Sequence, residues 1–414
     1  MARKDDNPVA LLHARKETNF QNTEIGPIPR DWEVETIANE FKFLGNNTLS
    51  RDQLTVVGSV QNVHYGDIHV KFPEVLDLSK FSLPYINESI CRRAKEFLRD
   101  GDIVMADTAE DESVGKSCEI INIGDRKVEG GLHTFVLRPF KSYYNGFLGY
   151  LINSTLFHNH IIPLLQGTKV YSITKSDLKT LKVIYPPLEE QKRIAEVLSH
   201  FDQHIENLSA LLEKKKQIKS AAMHQLLSGL SLQIMQLNTG VRKEKVGAVC
   251  LIERGVRITK DSLNSFGRYP VYSGGITPMG YYQYANRLSS TVTVVKYGSA
   301  GFVNYVQEDF WANDVCYTIS PNSLLLSEYL YYTLKFSEKE LQSLTTDAVP
   351  PHLPTEAISS FQISIPPIDE QRRIVRILSN MDKEIGALEQ LVEKYQQLKE
   401  GAMQELLTGK TRLL

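Results

Sequence analysis

Residues 186–229 read PPLEEQKRIAEVLSHFDQHIENLSALLEKKKQIKSAAMHQLLSG, and residues 366–409 read PPIDEQRRIVRILSNMDKEIGALEQLVEKYQQLKEGAMQELLTG. The two stretches align without a gap at an offset of 180 residues. About half of their positions are identical, and such self-similarity is typical of a duplicated structural unit. The chain is therefore predicted to contain two related modules, each ending in the same long segment.

Both copies have the periodicity of a long helix. Apolar residues recur at alternating spacings of four and three, which places them along one seam of a coiled coil. The seam residues are Ile194, Leu198, Phe201, Ile205, Leu208 and Leu212 in the first copy, and Ile374, Leu378, Met381, Ile385, Leu388, Val392 and Tyr395 in the second. At 1.5 Å per residue, each helix would extend over roughly 60 Å. A stripe of this kind is also typical of a helix that packs one face on a domain core, so both interpretations stay open here.

The ends of the two copies support the helix prediction. Each copy opens with two prolines followed by acidic residues, which suit the positive end of a helix. Gly229 and Gly409 occupy positions where a left-handed residue ends a helix. If the helices pack antiparallel, a pseudo-two-fold axis would relate the modules and place their globular parts at opposite ends of a rod.

The repeat defines the expected fold and its boundaries. We expect an α+β protein with two globular mixed α/β domains, separated by two long helices that form an antiparallel coiled coil. Short strands are predicted at 101–106, 130–137 and 290–295. The segments are an N-terminal connecting segment (1–30), a first globular domain (31–185), a central helix (186–230), a linker (231–240), a second globular domain (241–365) and a C-terminal helix (366–414).

Composition limits the classes of function. The 414 residues include 42% apolar residues, contain no long apolar run, and begin with a charged stretch unlike a signal peptide. We therefore expect a soluble, cytoplasmic protein with no membrane contact. The four cysteines are scattered, which predicts no metal site. With 47 basic and 49 acidic residues the chain has no general excess of positive charge. Any contact with DNA phosphates would therefore be local, or a partner would supply the rest.

Motifs for catalysis are incomplete. The sequences GKS at 115–117 and GKT at 409–411 resemble the end of a phosphate-binding loop, but Glu110 and Gln404 occupy the positions of its first glycine. The two Pro-Pro sequences are preceded by Tyr185 and Ile365, so they lack the polar residue of an adenine methyltransferase motif. We therefore expect no enzyme activity and no cofactor.

Several motifs resemble one known family. They are GPIPRDW at 26–32, LRDGDI at 98–103, GRYPVYSGG at 267–275, and the two helix starts PPLEEQKRI and PPIDEQRRI. Together they are similar to specificity subunits of type I restriction-modification systems over nearly the whole chain. The resemblance implies that residues 31–185 and 241–365 are target recognition domains, each reading one half of a bipartite double-stranded DNA target. It also implies that the helices set the spacer and dock two methyltransferase subunits, and that restriction (translocase and nuclease) subunits join through the complex.

A second class of function remains open at this point. A structural coiled-coil adaptor could join two protein partners through its globular ends, and the neutral charge slightly favours it. The chain carries two dissimilar globular segments on nearly identical helices. This arrangement favours a DNA-reading protein, in which the helices stay constant while the globular segments differ in the sequence that they read.

Residue chemistry suggests which side chains would do the reading. Arginine and lysine bond guanine edges and phosphates, asparagine bonds adenine, and tyrosine offers stacking and a hydroxyl. The candidates for DNA binding are Arg51, Arg92, Arg93, Lys95, Lys116, His133, Arg257, Lys260, Arg268, Tyr272, Ser273, Tyr281, Tyr282, Lys296 and Asn313. The polar residues at the helix starts are the candidates for partner docking, or are simply solvated: Glu190, Gln191, Arg193, Glu370, Gln371 and Arg373.

Overall fold

The computed structural model describes residues 14–87, 89–90, 96–228, 240–264, 266–346 and 348–413. The chain divides into two compact units, one formed by residues 1–208 with 391–414 and the other by residues 209–390. Among the described residues, no helix combines the length and apolar composition needed to cross a bilayer.

The two repeated segments are long helices, as predicted. Helix α6 covers Leu188–Leu227 and helix α11 covers Ile368–Leu406, so each begins directly after its proline pair. Gly409 follows α11 at a φ of 66°, which confirms the predicted left-handed position. A side chain there would also collide with the ring of Pro29. Gly229 and most of the predicted linker lie outside the described residues.

The helices pair antiparallel inside each unit, which confirms the coiled coil. In the second unit Lys215 pairs with Glu384 and Lys219 with Asp382, so residue numbers rise along one helix and fall along the other. In the first unit the rings of His204 and Tyr395 pack at 4.3 Å between centroids.

The start of each helix has a second partner. Ile194, Leu198 and Phe201 are buried in the core of the first unit, and Ile374 and Leu378 in the core of the second. Both interpretations of the apolar stripe are therefore correct, each for a different part of the helix. Its first turns pack on a globular domain, and the later positions pair with the other helix.

The first unit is built around a five-stranded sheet of order β5-β14-β10-β12-β8, antiparallel except for its last pair. A four-stranded sheet, β13-β7-β9-β6, begins with a parallel pair. The predicted strand at 101–106 is β10. The strands are β1 Ala14–Lys16, β2 Phe20–Thr23, β3 Gly26–Pro29, β4 Glu33–Thr36, β5 Phe41–Leu44, β6 Leu54–Thr55, β7 Gln61–Val63, β8 Val75–Asp77, β9 Tyr85–Ile86, β10 Ile103–Ala106, β11 Thr108–Ala109, β12 Ser117–Ile121, β13 Val128–Gly130, β14 Thr134–Pro139, β15 Tyr171–Ser172, β16 Lys182–Tyr185 and β26 Thr411–Leu413.

Short helices and two-stranded pairs complete this unit. Strand β4 pairs with β16, the hairpin β2–β3 lies near the start of the described chain, and β1 pairs with β26 from its end. The short helices are α1 Ile37–Glu40, α2 Tyr65–Val70, α3 Phe147–Ile152, α4 Thr155–Ile161 and α5 Lys175–Thr180.

The second unit repeats this plan in shorter form. Its four-stranded sheet, β18-β24-β21-β22, is antiparallel throughout, and a three-stranded sheet has the order β20-β19-β23. The predicted strand at 290–295 is β21. The elements are β17 Arg242–Lys245, α7 Val246–Val249, β18 Cys250–Arg254, β19 Tyr269–Tyr272, β20 Tyr281–Tyr282, β21 Thr291–Val295, β22 Val303–Val306, β23 Trp311–Ala312, β24 Cys316–Pro321, α8 Ser327–Phe336, α9 Glu338–Ser343, α10 Thr355–Ser360 and β25 Gln362–Ile365.

Candidate nucleic-acid interface

Three predicted residues of the first unit, distant in sequence, meet around helix α2. Arg51 donates two hydrogen bonds to Asp67 of α2, at 2.7 and 2.8 Å. Burial alone would raise the pKa of Asp67, but hydrogen bonds from Arg51 and Lys71 outweigh it and lower the pKa. The carboxylate therefore stays charged and holds Arg51, whose side chain remains half-exposed.

The other two residues contact α2 through the ring of Tyr65 and the backbone carbonyl of His69. The ring of His133 packs edge-on against Tyr65 at 5.4 Å, and its Nδ1 lies 3.3 Å from Asp107. The Nζ of Lys116 donates to the carbonyl of His69 at 2.8 Å. We name this group the α2 surface; its members are Arg51, His64, Tyr65, His69, Lys116 and His133.

Sequence reasoning missed His64, Tyr65 and His69, although His-Tyr followed by His within one short helix is a visible signal. His64 begins the helix by accepting the amide of Gly66. Burial and the nearby Arg51 lower its pKa, which favours the neutral ring. The predicted residues Arg92, Arg93 and Lys95 lie outside the described residues.

In the second unit, the predicted basic residues other than Lys296 lie on one loop, residues 255–268, which we name the basic loop. Its start is tied down because the indole of Trp311 donates to the carbonyl of Val256 at 2.8 Å. Its end is tied down because the amide of Asn264 donates to the carbonyl of Tyr281 at 3.1 Å. Arg257 and Lys260 are exposed between these two ties. The loop therefore presents its charges on an anchored backbone.

Aromatic side chains border the basic loop. Arg268 lies over the ring of Tyr269 at 5.4 Å. Tyr282 packs edge-on against Trp311, at 5.1 Å between centroids, and Tyr281 beside it is exposed. Phe266, which the sequence reasoning did not single out, is 96% exposed on this loop. Proteins that bend a DNA duplex insert such large apolar rings between its base steps.

Unlike the exposed DNA-binding candidates of the second unit, Asn313 lies inside the unit. It is buried, its side-chain oxygen accepts the amide of Ile258, and its nitrogen donates to the carbonyl of Ile258 and to Ser273. Its amide is therefore used inside the unit, where it holds the basic loop. Tyr272 is half-buried against Phe310.

Lys296, the remaining basic candidate of the second unit, does not lie on the basic loop. Its Nζ lies over the rings of Tyr297 and Tyr317, directly after β21.

Replacing Asn313 with alanine is expected to release the basic loop. The loss of buried hydrogen bonds would destabilise the unit by about 1–3 kcal/mol. Weaker binding of one DNA half-site, by about tenfold, would follow because the arginines lose their anchored backbone. Thermal unfolding and titration with DNA would measure both effects. The control is Gln307→Ala, an exposed amide side chain of the same unit, which should leave both quantities nearly unchanged.

Three of the six predicted docking residues are occupied inside the chain. The carboxylate of Glu190 accepts from the Trp32 indole and from Arg412. Gln191 is fully buried and accepts the amide of Tyr144. Gln371 plays the same part for Leu326. These residues join each helix to its globular domain, so a partner would have to contact their exposed neighbours.

Arg193 and the Glu370–Arg373 pair differ from that group. Arg193 is part-buried, and its guanidinium lies 3.4 Å from the carbonyl of Leu413. Arg373 is exposed and bonds Glu370 through two hydrogen bonds, at 2.6 and 2.8 Å.

Comparison with known proteins explains why the same plan occurs twice. The sequence model described as the type I restriction modification DNA specificity domain matches this chain twice, over residues 29–219 and 238–400. The chain belongs to the type I restriction modification DNA specificity family. Both matches contain a globular domain and most of the long helix that follows it.

Relatives in this specificity family cover the whole chain. The MjaX protein of Methanocaldococcus jannaschii, which is assigned as a type I restriction enzyme specificity subunit, is 24% identical and aligns with 98% of this chain and 99% of its own. The EcoKI specificity subunit of Escherichia coli K12 is 21% identical over 49% of this chain and 43% of its own. The crystal structure of a type I S subunit from M. genitalium has the same fold, with a TM-score of 0.61 and 19% identity over 91% of this chain and 96% of its own. All three are specificity subunits, and none supports the coiled-coil adaptor.

Proposed function

We propose that this specificity subunit reads a bipartite double-stranded DNA target, with one half-site for each globular domain. The domains at 31–185 and 241–365 act as target recognition domains, and the long helices set the spacer and dock two methyltransferase subunits. Restriction subunits, the translocase and nuclease, join through those partners. The chain itself is non-catalytic, uses no cofactor, and directs the chemistry of its partners to a sequence.

One observation supports this function above the others. In each unit, basic and aromatic side chains come together on one anchored surface: the α2 surface in the first, the basic loop with Tyr281 and Tyr282 in the second. Specific DNA readers combine such side chains, because bases are read by hydrogen bonds and phosphates by charge. The exposed candidates Arg51, His133, Arg257, Lys260 and Arg268 are the side chains we assign to DNA contact.

A selection experiment tests this function directly. The purified subunit with its methyltransferase partners is offered duplexes with randomised sequence, and the bound fraction is sequenced. The expected result is two short conserved blocks separated by a spacer of constant length and no sequence preference. Selection of a single continuous block, or of no sequence at all, would refute the two-reader proposal.

Lengthening both helices is expected to lengthen the spacer. Seven residues inserted after Leu208 and after Gln390 preserve the coiled-coil seam. They add about 10 Å to each helix at 1.5 Å per residue. That length corresponds to about three base pairs at 3.4 Å each. The preferred spacer should lengthen, by the number of base pairs that best matches both the added length and the rotation of about a tenth of a turn per base pair, while both half-site sequences stay unchanged. An unchanged spacer would contradict the ruler role, and insertion in one helix only is the control, because it breaks the pairing.

DNA affinity is expected to depend on the methyltransferase partners. The chain has a formal net charge of −2, so it has little general attraction for phosphates. Gel-shift titrations of the target duplex should show weak binding by the subunit alone and much tighter binding by the complex. Equal affinity in both titrations would contradict the proposed division of labour. Native mass spectrometry of the complex measures whether two methyltransferase copies are present.

We propose that the protein functions in the cytoplasm. The described cysteines Cys118, Cys250 and Cys316 are free thiols, in keeping with a reducing compartment.

A further inference from the structure

A group of three side chains joins the first recognition domain to both long helices. The hydroxyl of Tyr150, on helix α3 of the domain, donates to Asp202 of α6 at 2.5 Å. The Nζ of Lys399, on α11, pairs with the same carboxylate at 2.6 Å and lies over the Tyr150 ring at 5.3 Å. Each of three elements therefore contributes one side chain to a single contact.

Two of the three side chains are shielded from water, and Asp202 is part-buried. Tyr150 is buried and the side chain of Lys399 is only 11% exposed. Burial alone would lower the pKa of Lys399, but the Glu74 and Asp202 carboxylates outweigh it and raise the pKa. Glu74 lies just before strand β8 of the domain and bonds Lys399 at 3.0 Å. A charged lysine thus links the far helix to the recognition domain directly.

The second unit contains the same three-residue group. Tyr332, on helix α8, donates its hydroxyl to Asp382 of α11 at 2.7 Å. Lys219 of α6 pairs with that carboxylate, and its Nζ lies 5.9 Å from the centre of the Tyr332 ring. The domain, its own helix and the opposite helix again contribute one residue each.

The two groups are equivalent by the internal repeat. Asp202 and Asp382 are separated by the 180-residue offset of the two helices, and so are Lys219 and Lys399. Each helix therefore carries one aspartate for its own domain and one lysine for the other domain. The aspartate and lysine recur through the duplication, whereas the tyrosines come from two dissimilar domains. The same part-buried geometry in both units therefore indicates a shared role.

The chemistry of the group suits the control of register. A polar group buried in a coiled coil favours the single alignment that satisfies it, and every shifted alignment leaves a charge unpaired. Here the aspartate also accepts the tyrosine hydroxyl of the recognition domain. A slip of the helices or a tilt of the domain would break the same contact.

We infer that Tyr150–Asp202–Lys399 and Tyr332–Asp382–Lys219 are positioning residues that hold each recognition domain at one orientation on the helix pair, and thereby restrict the DNA spacer to one length. The inference rests on the proposed bipartite function. A spacer longer by one base pair moves a half-site by about 3.4 Å along the duplex axis. It also rotates the half-site by about a tenth of a turn about the duplex axis. The protein can reject such a spacer only if its recognition domains are held rigidly on the helices.

The test is the spacer preference of the complex with its methyltransferase partners. The target duplex is prepared with spacers one and two base pairs shorter or longer than the preferred one, and binding to each is measured. In Lys399→Met and Lys219→Met, discrimination against neighbouring spacers is expected to fall by about tenfold, while the half-site sequences stay the same. The matched control is Lys215→Met, because the Lys215–Glu384 pair on the same helices is much more exposed.

Isosteric variants keep the test independent of folding. Tyr150→Phe and Tyr332→Phe remove only the hydroxyls, and the double variant should also broaden the spacer preference. Folded variants that reject neighbouring spacers as strongly as the wild type would overturn the inference. A wild-type complex that selects no bipartite target would instead refute the proposed function, so the two failures are distinguishable.

Discussion

Replacing Arg412 with methionine is expected to destabilise the first unit by about 3–5 kcal/mol, the usual result of leaving a buried acid, here Glu190, without its cation. The guanidinium is 3% exposed. It bonds Glu190 at 2.6 and 2.7 Å and Asp31 at 2.7 and 3.0 Å, and it reaches Glu17 at 2.7 Å. One side chain at the end of the described chain thus neutralises three carboxylates from other segments.

Thermal unfolding measures this effect, and a loss of that size corresponds to a midpoint lower by about 10 °C for a unit of this length. The control is Lys16→Met, since Lys16 pairs with Glu405 on the same part of the unit but is 74% exposed. Exposed pairs of this kind contribute about 0–1 kcal/mol. Adding Glu190→Gln to Arg412→Met should restore part of the stability. Equal midpoints for the Arg412 and Lys16 variants would show that the Arg412 network does not stabilise the unit.

The second large effect is expected for Arg138→Met in the first recognition domain. Arg138 of β14 forms a bidentate pair with Asp102, at 2.6 and 2.8 Å, and also donates to the carbonyl of Phe97 at 2.9 Å. Asp102 is completely buried, so methionine would leave its charge without compensation. The expected cost is again about 3–5 kcal/mol.

This variant also tests whether the two recognition domains read DNA independently. Because Arg138 supports only the first unit, DNA selection should lose one conserved block and keep the other. Lys42→Met is the control, because its pair with Glu96 in the same domain is almost half-exposed. Loss of both blocks, or of neither despite a lowered melting midpoint, would contradict an independent reader in each unit.

The starts of both long helices were predicted to within a few residues, whereas α11 ends at Leu406 and strand β26 lies in the segment predicted as helix up to residue 414. Their apolar spacing and proline starts are local properties of the sequence, and local properties decide where a helix begins and ends. The strands β10 and β21 were predicted for the same reason, since each follows a turn and consists of β-forming residues.

The recognition surfaces could be predicted only in part. Arg51, Lys116 and His133 were proposed one by one, but their meeting around α2 depends on strand pairings between distant segments. Strand β7 pairs with β13, and β8 pairs with β12, over separations of more than 40 residues. No periodicity within a short window contains that information.

The polar residues at the helix starts show a different limit of prediction from sequence. Glu190, Gln191 and Gln371 have the chemistry of solvated residues, and on sequence alone they were assigned to partner docking or to solvent. In the structure they instead accept hydrogen bonds from Arg412, Tyr144 and Leu326. No sequence pattern predicts these donors. A buried polar residue is recognisable only when its partner is known.

By itself, the sequence determined the duplication, the two long helices and the family, because repeat offset and periodicity can be read along the chain. Only the tertiary structure decided which charges are paired and how far they are buried, as in Arg412 with Glu190, and Lys399 with Asp202. The physical reason is that the energy of a charge depends on its neighbours in space, and these lie hundreds of residues away along the chain.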